Sequence, residues 1–430
     1  MDSTLFLVIA TLLALLVLLI YKSGKTYPIL ILFAITYFVQ YIVAPYFFYF
    51  HYPAGLEVMA VNANDYFSFA IPALLFLFAG VYFFSIRKGQ IIEFKKRIDL
   101  DHARRYGWFL IAISFFFDVA SYLQISFLVP LVSFTQYLKF IGCFCLIFTR
   151  SKVAMIVISF IYVRLILGAL TTGVFIDFFI WSAYLFLFVV LEYKFSFAMR
   201  LFAFLMIIPI ITTVQGVKKE YREVVWSEKE EGSLELLLEL SEAQRAETDP
   251  TENYFQSSTF LRTIGRLNQG WHLSMTLNHV PRHQPIVNGQ ELFTDITASL
   301  VPRFLAAEKK KVNDKEKFEK YTGHHIYGNT AMSIGVLGDF YINFGYWGAF
   351  IALFFLGVFV ALVLKYFMRK FVLPNPMYLV WIPFLFSYLI RANNEFYIFF
   401  NNLVKGLILF LLIDFLFRKL FQQRRKIVSR

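Results

Sequence analysis

The stretch Val301–Gly348, VPRFLAAEKKKVNDKEKFEKYTGHHIYGNTAMSIGVLGDFYINFGYWG, decides how this chain is read. It is polar for most of its length and then turns into an apolar run. It therefore marks the return of a long hydrophilic segment to a chain that is otherwise almost wholly apolar. Arg303, Lys309, Lys310, Lys311, His324, His325, Asp339 and Asn343 gather before or at that boundary. A solvated linker needs polarity. It does not need a Pro-Arg pair, a triple lysine, paired histidines and Gly-spaced aromatics together, so the density marks a functional segment.

Outward from this stretch, the 430 residues are 59% hydrophobic and only 16% charged, against roughly 25% in a soluble domain. With a mean hydropathy of +0.62, the chain reads as an all-α polytopic membrane protein. The 54 Phe and 25 Tyr suit lipid-facing helices with interfacial aromatic belts. The net charge of +12 sits mostly in short loops between apolar spans and at the C-terminus, where topology rather than nucleic acid accounts for it. Cys143 and Cys145 fall inside an apolar span and read as small packing residues. The first residues, MDSTLFLVIATLLALLVLLIY, lack the basic start and the cleavage site of a signal peptide and read as an uncleaved first helix.

A hydrocarbon core about 30 Å thick takes about 20 apolar residues per helix. That ruler gives eleven expected spans: Leu5–Tyr21, Pro28–Phe50, Tyr66–Ile86, Tyr106–Leu123, Leu128–Phe148, Val153–Thr171, Val174–Leu191, Phe197–Val214, Phe344–Leu364, Tyr378–Phe399 and Leu403–Phe417. Three units follow: an N-terminal bundle over 1–214, a loop domain over 215–338, and a C-terminal bundle with a basic tail over 339–430. Lysine and arginine collect on the cytoplasmic side of short loops. Lys22 and Lys25, the run from Arg87 to Arg105, Arg150 and Lys152, Lys194 and Arg200, Arg369 and Lys370, and Arg418 to Arg430 alternate with charge-poor loops such as 51–65. The expectation is an N-terminus outside, a C-terminus inside and one large extracytoplasmic loop.

That loop is two-toned. Its first part is acidic, with Leu234, Leu237, Leu238 and Leu240 at helical spacing behind Ser233 as an N-cap, and reads as a solvated amphipathic helix. Its second part carries Arg262, Arg266, Arg282, Arg303 and the lysine cluster, a positive surface suited to an anionic headgroup. Within the spans, Asp118, Lys139, Arg164, Asp177 and Arg391 are ionisable, and such residues usually face a bundle interior or cavity. Lys139 either snorkels or pairs with Asp118. Arg391 stands in SYLIRANNEFYIFFNN beside Glu395, where it suits either bidentate donation to a phosphate or an internal Arg-Glu pair.

Three local patterns resemble the Wzy-type oligosaccharide repeat-unit polymerases, in the wider group that includes O-antigen ligases. They are VPRFLAAEKKK in the outer loop, GVLGDFYINFGYWGAF at the start of a late helix, and the arginine of SYLIRAN. The resemblance implies a GT-C-like fold and glycosyl transfer outside the bacterial inner membrane. A glycan on a polyprenyl diphosphate would pass to the sugar end of an incoming lipid-linked repeat unit, with a chain-length regulator as a further partner. Diphosphate contacts would fall to Arg262, Arg266, Arg303, Arg391 and Lys309, where cationic donors meet developing charge. The base for the acceptor hydroxyl would come from His324, His325, Asp339 or Glu395. Asp339 has a second reading, that it caps or pins the start of the helix. No Asp-x-Asp pair or other metal motif stands out, so metal-independent transfer without a cofactor is expected. An O-antigen-ligase-like transferase and a lipid-linked oligosaccharide flippase are the rival readings, the latter more often built with internal repeats and short loops.

Overall fold

The computed structural model describes residues 3–51, 58–85, 98–123, 132, 134–227, 230–246, 258–301, 314–326 and 332–421. Among these residues all regular structure is helical. The bundle helices are α1 (Ser3–Ser23), α2 (Ile29–Phe50), α3 (Ala63–Phe84), α4 (Leu100–Tyr122), α5 (Leu138–Ile147), α6 (Lys152–Thr172), α7 (Ile176–Tyr193) and α8 (Phe197–Trp226). Shorter helices follow: α9 (Leu234–Ala246), α10 (Ser258–Leu267), α11 (Gln269–His279), α12 (Gln290–Leu300) and α13 (Asp314–Thr322). The chain then returns through α14 (Gly335–Phe367), α15 (Pro376–Ile390) and α16 (Phe396–Phe421). Eight of the described helices are long and apolar enough to cross a bilayer, the mark of a polytopic membrane protein.

Short polar residues set where these helices begin. Asn62 accepts from the Asp65 amide at 2.8 Å, Asp99 accepts from the Asp101 and His102 amides at 3.0 and 3.1 Å, and Ser196 accepts from the Met199 amide at 3.2 Å. Each satisfies an amide that the first turn leaves without an intrahelical partner. Between helices, small residues permit close approach. A methyl group at Gly80 of α3 would overlap the Phe354 carbonyl of α14, and one at Gly357 would overlap the Leu77 carbonyl of α3. Gly107 of α4 and Gly142 of α5 form a second such crossing. Cys143 and Cys145 are free and buried there.

The two ends of the bundle differ. At one end Arg200 donates to the Ile20 carbonyl, Arg150 Nε pairs with Glu192 at 2.7 Å, and Arg418 pairs with Asp414 at 2.9 Å, with Tyr378 also bonded to Asp414. The segment between α8 and α14 packs on the other end. There the Ala60 amide donates to Ser274 Oγ at 3.2 Å, Tyr341 Oη donates to the Val280 carbonyl at 3.1 Å, and the Val287 and Gly289 amides donate to the Ile342 and Asn343 carbonyls at 3.0 Å each.

Several expected boundaries shift. The eighth span continues to Trp226 because polar Lys218, Arg222 and Glu223 are compatible with a helix that leaves the apolar layer without unwinding. The ninth starts at Gly335, nine residues before Phe344, and Gly345 (φ 68°, ψ −170°) kinks it. The interruption expected near 400–402 falls instead at 391–395, so Phe396–Phe421 is a single helix. Asn401 and Asn402 stay helical, with Asn402 Nδ2 donating back to the Ile398 carbonyl at 2.7 Å. In α9, Ser233 caps the Leu236 amide at 3.1 Å as expected, but the buried pair is Leu236 and Leu237, while Leu234 and Leu238 face outward. Of the two readings of Lys139, the pair with Asp118 forms, at 2.8 Å, with Arg164 at 3.8 Å from the same carboxylate oxygen.

Candidate functional site

The site is the junction where the segment between α8 and α14 meets the bundle. Gly335 opens α14 with φ +71°, a left-handed value that favours glycine, and a side chain there would run into the Tyr41 hydroxyl. Asp339 and Asn343 follow one turn apart and share a helix face. Opposite them the backbone breaks between α15 and α16. Arg391 leaves the helix in an extended conformation (φ −79°, ψ 95°), and the Asn394 amide turns back to the Arg391 carbonyl at 3.0 Å. This break delivers Glu395 to the start of α16, while Tyr41 Oη donates to the Ala392 carbonyl at 3.0 Å and ties the break to α2.

Lys317 of α13 reaches into this junction, carried by a helix whose Phe318 and Tyr321 are both buried. Its Nζ lies 2.7 Å from Glu395 Oε2, 2.9 Å from Asp339 Oδ1 and 3.8 Å from Asp295 Oδ2 of α12. Glu395 Oε1 accepts from Ser333 Oγ at 3.0 Å and from the Ile334 amide at 3.3 Å. Asp339 Oδ2 accepts from the Phe396 amide at 3.1 Å, so the second reading of Asp339 holds in altered form: it pins the start of α16 rather than its own helix. Asn343 Nδ2 donates to the Asp339 carbonyl at 2.9 Å, and Asn343 Oδ1 accepts from the Leu292 amide of α12 at 3.2 Å. Four segments of the chain are thus joined through one ammonium group.

Three carboxylates around one lysine leave excess negative charge. Burial pushes the Asp295 carboxyl up to about 7, with Lys317 pulling it down and Asp339 and Glu395 adding to the rise. Burial alone would lower the Lys317 ammonium, yet the surrounding carboxylates outweigh it and hold its pKa above the ordinary lysine range. Next to the cluster, His272 Nδ1 lies 2.8 Å from the Ser333 carbonyl, which also accepts from Gln269 Nε2 at 3.0 Å. Burial lowers the His272 imidazole to about 4, so it is neutral near pH 7.

The structure brings Asp339 and Glu395 together but exposes them by only 0% and 1%, which suits pinning the junction better than meeting a substrate hydroxyl. His324 and His325 are exposed, just beyond α13. His324 sets its ring edge-on to Trp271 at 5.5 Å, beside His272, and His325 Nδ1 lies 3.0 Å from Glu319 Oε1. Arg391 is paired, but with Asp177 of α7 (2.6 Å) and not with Glu395. Its guanidinium stacks over Tyr388 at 5.1 Å, and its buried Nε has no hydrogen-bond partner among the described residues. Arg266 lies on α10 near Lys218 and Arg222 of α8. Arg262 belongs to the same short helix, Arg262's side chain falls outside the described part, and Arg303 and Lys309 lie outside the described residues.

Sequence reasoning missed Lys317, Asp295 and His272. Lys317 stands in DKEKFEK, a charge run that reads as solvated, and the sole local signal was the apolar spacing of Phe318 and Tyr321 beside it. Family models, curated proteins and solved structures were each compared with the chain, and none matches.

Proposed function

We propose that the chain is a membrane glycosyltransferase that polymerises polyprenyl-diphosphate-linked oligosaccharide repeat units into a surface polysaccharide. One observation carries the reading. The motif GVLGDFYINFGYWGAF and the stretch that begins with SYLIRAN are far apart in sequence, yet Gly335 lies against the Ala392 carbonyl, and just beyond SYLIRAN Asp339 accepts from the Phe396 amide and shares Lys317 with Glu395.

In this reading the chain makes eleven passes in a GT-C-like arrangement within the bacterial cytoplasmic membrane. The end rich in Arg150, Arg200 and Arg418 faces the cytoplasm, and the junction faces outside. Arg391 contributes positive charge beside the diphosphate, with Arg262, Arg266, Arg303 and Lys309 as further contacts. Glycosyl transfer then breaks the anomeric C–O bond to the diphosphate and forms a new one to the acceptor hydroxyl. The hydroxyl proton passes to a base, and the electron pair leaves with the diphosphate. His324 or His325 fits that base better than Asp339 or Glu395, because the exposed imidazoles can be reached.

The test is deletion of the gene and complementation with the parent and with Arg391→Lys. A single repeat unit on the cell-surface lipid after deletion, a ladder with the parent and loss of the ladder with Arg391→Lys are expected. A ladder that survives deletion, or absence of any lipid-linked repeat unit outside the cell, refutes the polymerase. A ligase-like transferase would differ only in the acceptor. The broken backbone at 391–395 beside buried charge also favours a second reading, a lipid-linked oligosaccharide flippase, since discontinuous helices line many transport sites. Scrambling of a lipid-linked oligosaccharide by the purified protein in vesicles would select it.

A further inference from the structure

A second cluster of chemistry-bearing side chains lies where α11 ends against α13. His279 is the last residue of α11, and the His283 amide donates to the His279 carbonyl at 2.8 Å, which carries the turn on through His283. Two histidines four residues apart on one turn share a face, the spacing with which helices chelate a metal ion. Their rings meet, with centroids 4.8 Å apart and planes inclined by 32°. Two imidazoles on one ion, with metal–nitrogen bonds of about 2.0–2.1 Å and a bond angle of about 100°, set their centroids about 5 Å apart.

The first of these rings is held from behind. A side chain at Gly323 would come within 2.7 Å of His279 Nδ1 and 2.8 Å of its Cε1, so this glycine, at φ +69°, ends α13 and clears the place of the imidazole. The Lys320 carbonyl on the same helix end accepts a hydrogen bond from the His279 ring. An imidazole that donates from one nitrogen to a backbone carbonyl presents a lone pair on the other, and metal-binding histidines are usually oriented in this way. Burial and the neighbouring His283 lower the His279 pKa, so near pH 7 the ring is in the neutral form that binds a metal. His283 is exposed, which leaves the pair open to an ion from solvent.

A solvated surface histidine needs neither a glycine that clears its ring nor a carbonyl that fixes it. We propose that His279 and His283 bind a divalent transition-metal ion of the zinc, copper or nickel class, with water in its remaining positions. Imidazole suits these ions and does not suit hard cations such as magnesium. Among the described residues no group of three ligating side chains forms, so the pair acts as a two-imidazole site. A bound ion fixes the His279 ring against the end of α13, the helix whose Lys317 enters the charged junction. The ion takes no part in sugar transfer, and the inference stands whether or not the chain is a transferase.

The test uses the full-length protein without a histidine tag, stripped with EDTA and exchanged into dodecyl maltoside, and titrates it with zinc chloride by calorimetry. One zinc ion per chain is expected near pH 7, with affinity falling between about pH 7 and pH 5 as the imidazoles protonate. His279→Gln and the exposed His283→Gln are each expected to weaken binding about tenfold or more, and Gly323→Ala, which displaces the His279 ring, about 10–100-fold. His51→Gln, whose ring packs instead on Tyr46 and Phe47, is expected to bind as the parent does. Copper(II), as a paramagnetic probe, should show two imidazole nitrogens in the parent and one in each single histidine variant. The site is overturned if the parent binds no zinc, if magnesium chloride binds as tightly, or if His279→Gln and His283→Gln keep both the parent's zinc affinity and its two-nitrogen copper spectrum.

Discussion

Replacing Lys317 with methionine tests whether the charged junction holds the molecule together. The change keeps much of the aliphatic stem and removes the ammonium from between Asp339 at 2.9 Å and Glu395 at 2.7 Å, both carboxylates being almost fully buried. At an effective dielectric near 20, each contact at that range is worth about 4–6 kcal/mol before desolvation is subtracted. Desolvation offsets most of that gain while the cluster is intact. Removing the one cation leaves the acids buried and mutually repulsive, which typically costs about 3–5 kcal/mol. At about 2 °C per kcal/mol for a large chain, the unfolding midpoint should fall by about 6–10 °C. Cys143 and Cys145 are free and buried in α5, so a maleimide dye that fluoresces on reaction reports the transition directly. Lys317→Met combined with Glu395→Gln and Asp339→Asn should regain part of the loss, because the charge imbalance is removed even though the bonds are poorer. A single variant that melts within a degree or two of the parent, or a triple variant less stable than the single one by the full sum of its parts, would refute the electrostatic account.

The same cluster predicts a pH effect. Asp295 has a folded pKa of about 7, above the ordinary aspartate value near 3.9, so the stability it favours is fully present below that ordinary value and is lost as pH rises through about 7. Asp295→Asn should therefore flatten the decline in midpoint between pH 6 and 8, and an unchanged decline would remove Asp295 as its source. His272 behaves in the opposite sense: its folded pKa of about 4 lies below the ordinary value, so stability present above about 6.5 is lost as pH falls toward 4. His272→Gln should blunt acid unfolding in that window, measured with the same dye after equilibration at each pH and labelling at pH 7. At the α3–α14 crossing, Gly80→Ala and Gly357→Ala each place a methyl group on a facing backbone carbonyl and should cost about 1–3 kcal/mol. Melts of both variants that match the parent would mean the helices are not held at that spacing. A cysteine at exposed Ser227 should react with an impermeant maleimide in intact spheroplasts, and reaction only after lysis would invert the proposed orientation.

The membrane class was legible in the sequence because it rests on local quantities. Runs such as Leu5–Tyr21 or Tyr66–Ile86 are apolar whatever surrounds them, and a helix is the form that satisfies their backbone in lipid. Local capping chemistry was legible for the same reason: Ser233 marks the start of α9 and binds the Leu236 amide three residues on. Hydropathy is blind to where a helix stops inside an apolar run. The break at Arg391–Glu395 rather than at 400–402 follows from contacts made by Tyr41, Asp177, Lys317 and Asp339, all remote in sequence.

Asp339, Glu395 and Arg391 could be picked out as charges at a membrane boundary, since their cost there is a local fact. Their partners could not. Arg391 and Glu395 are neighbours on one loop, which makes an Arg-Glu pair the simplest reading, yet the break in the backbone sends one to α7 and the other to α13. Lys317 looks solvated in its run of charges and becomes buried only because Phe318 and Tyr321 carry its helix into the junction. The sequence by itself determined which segments are apolar and which residues carry charge. Which charges meet was decided by tertiary structure, because ion pairing depends on distances of a few ångströms between elements that the chain order does not place together.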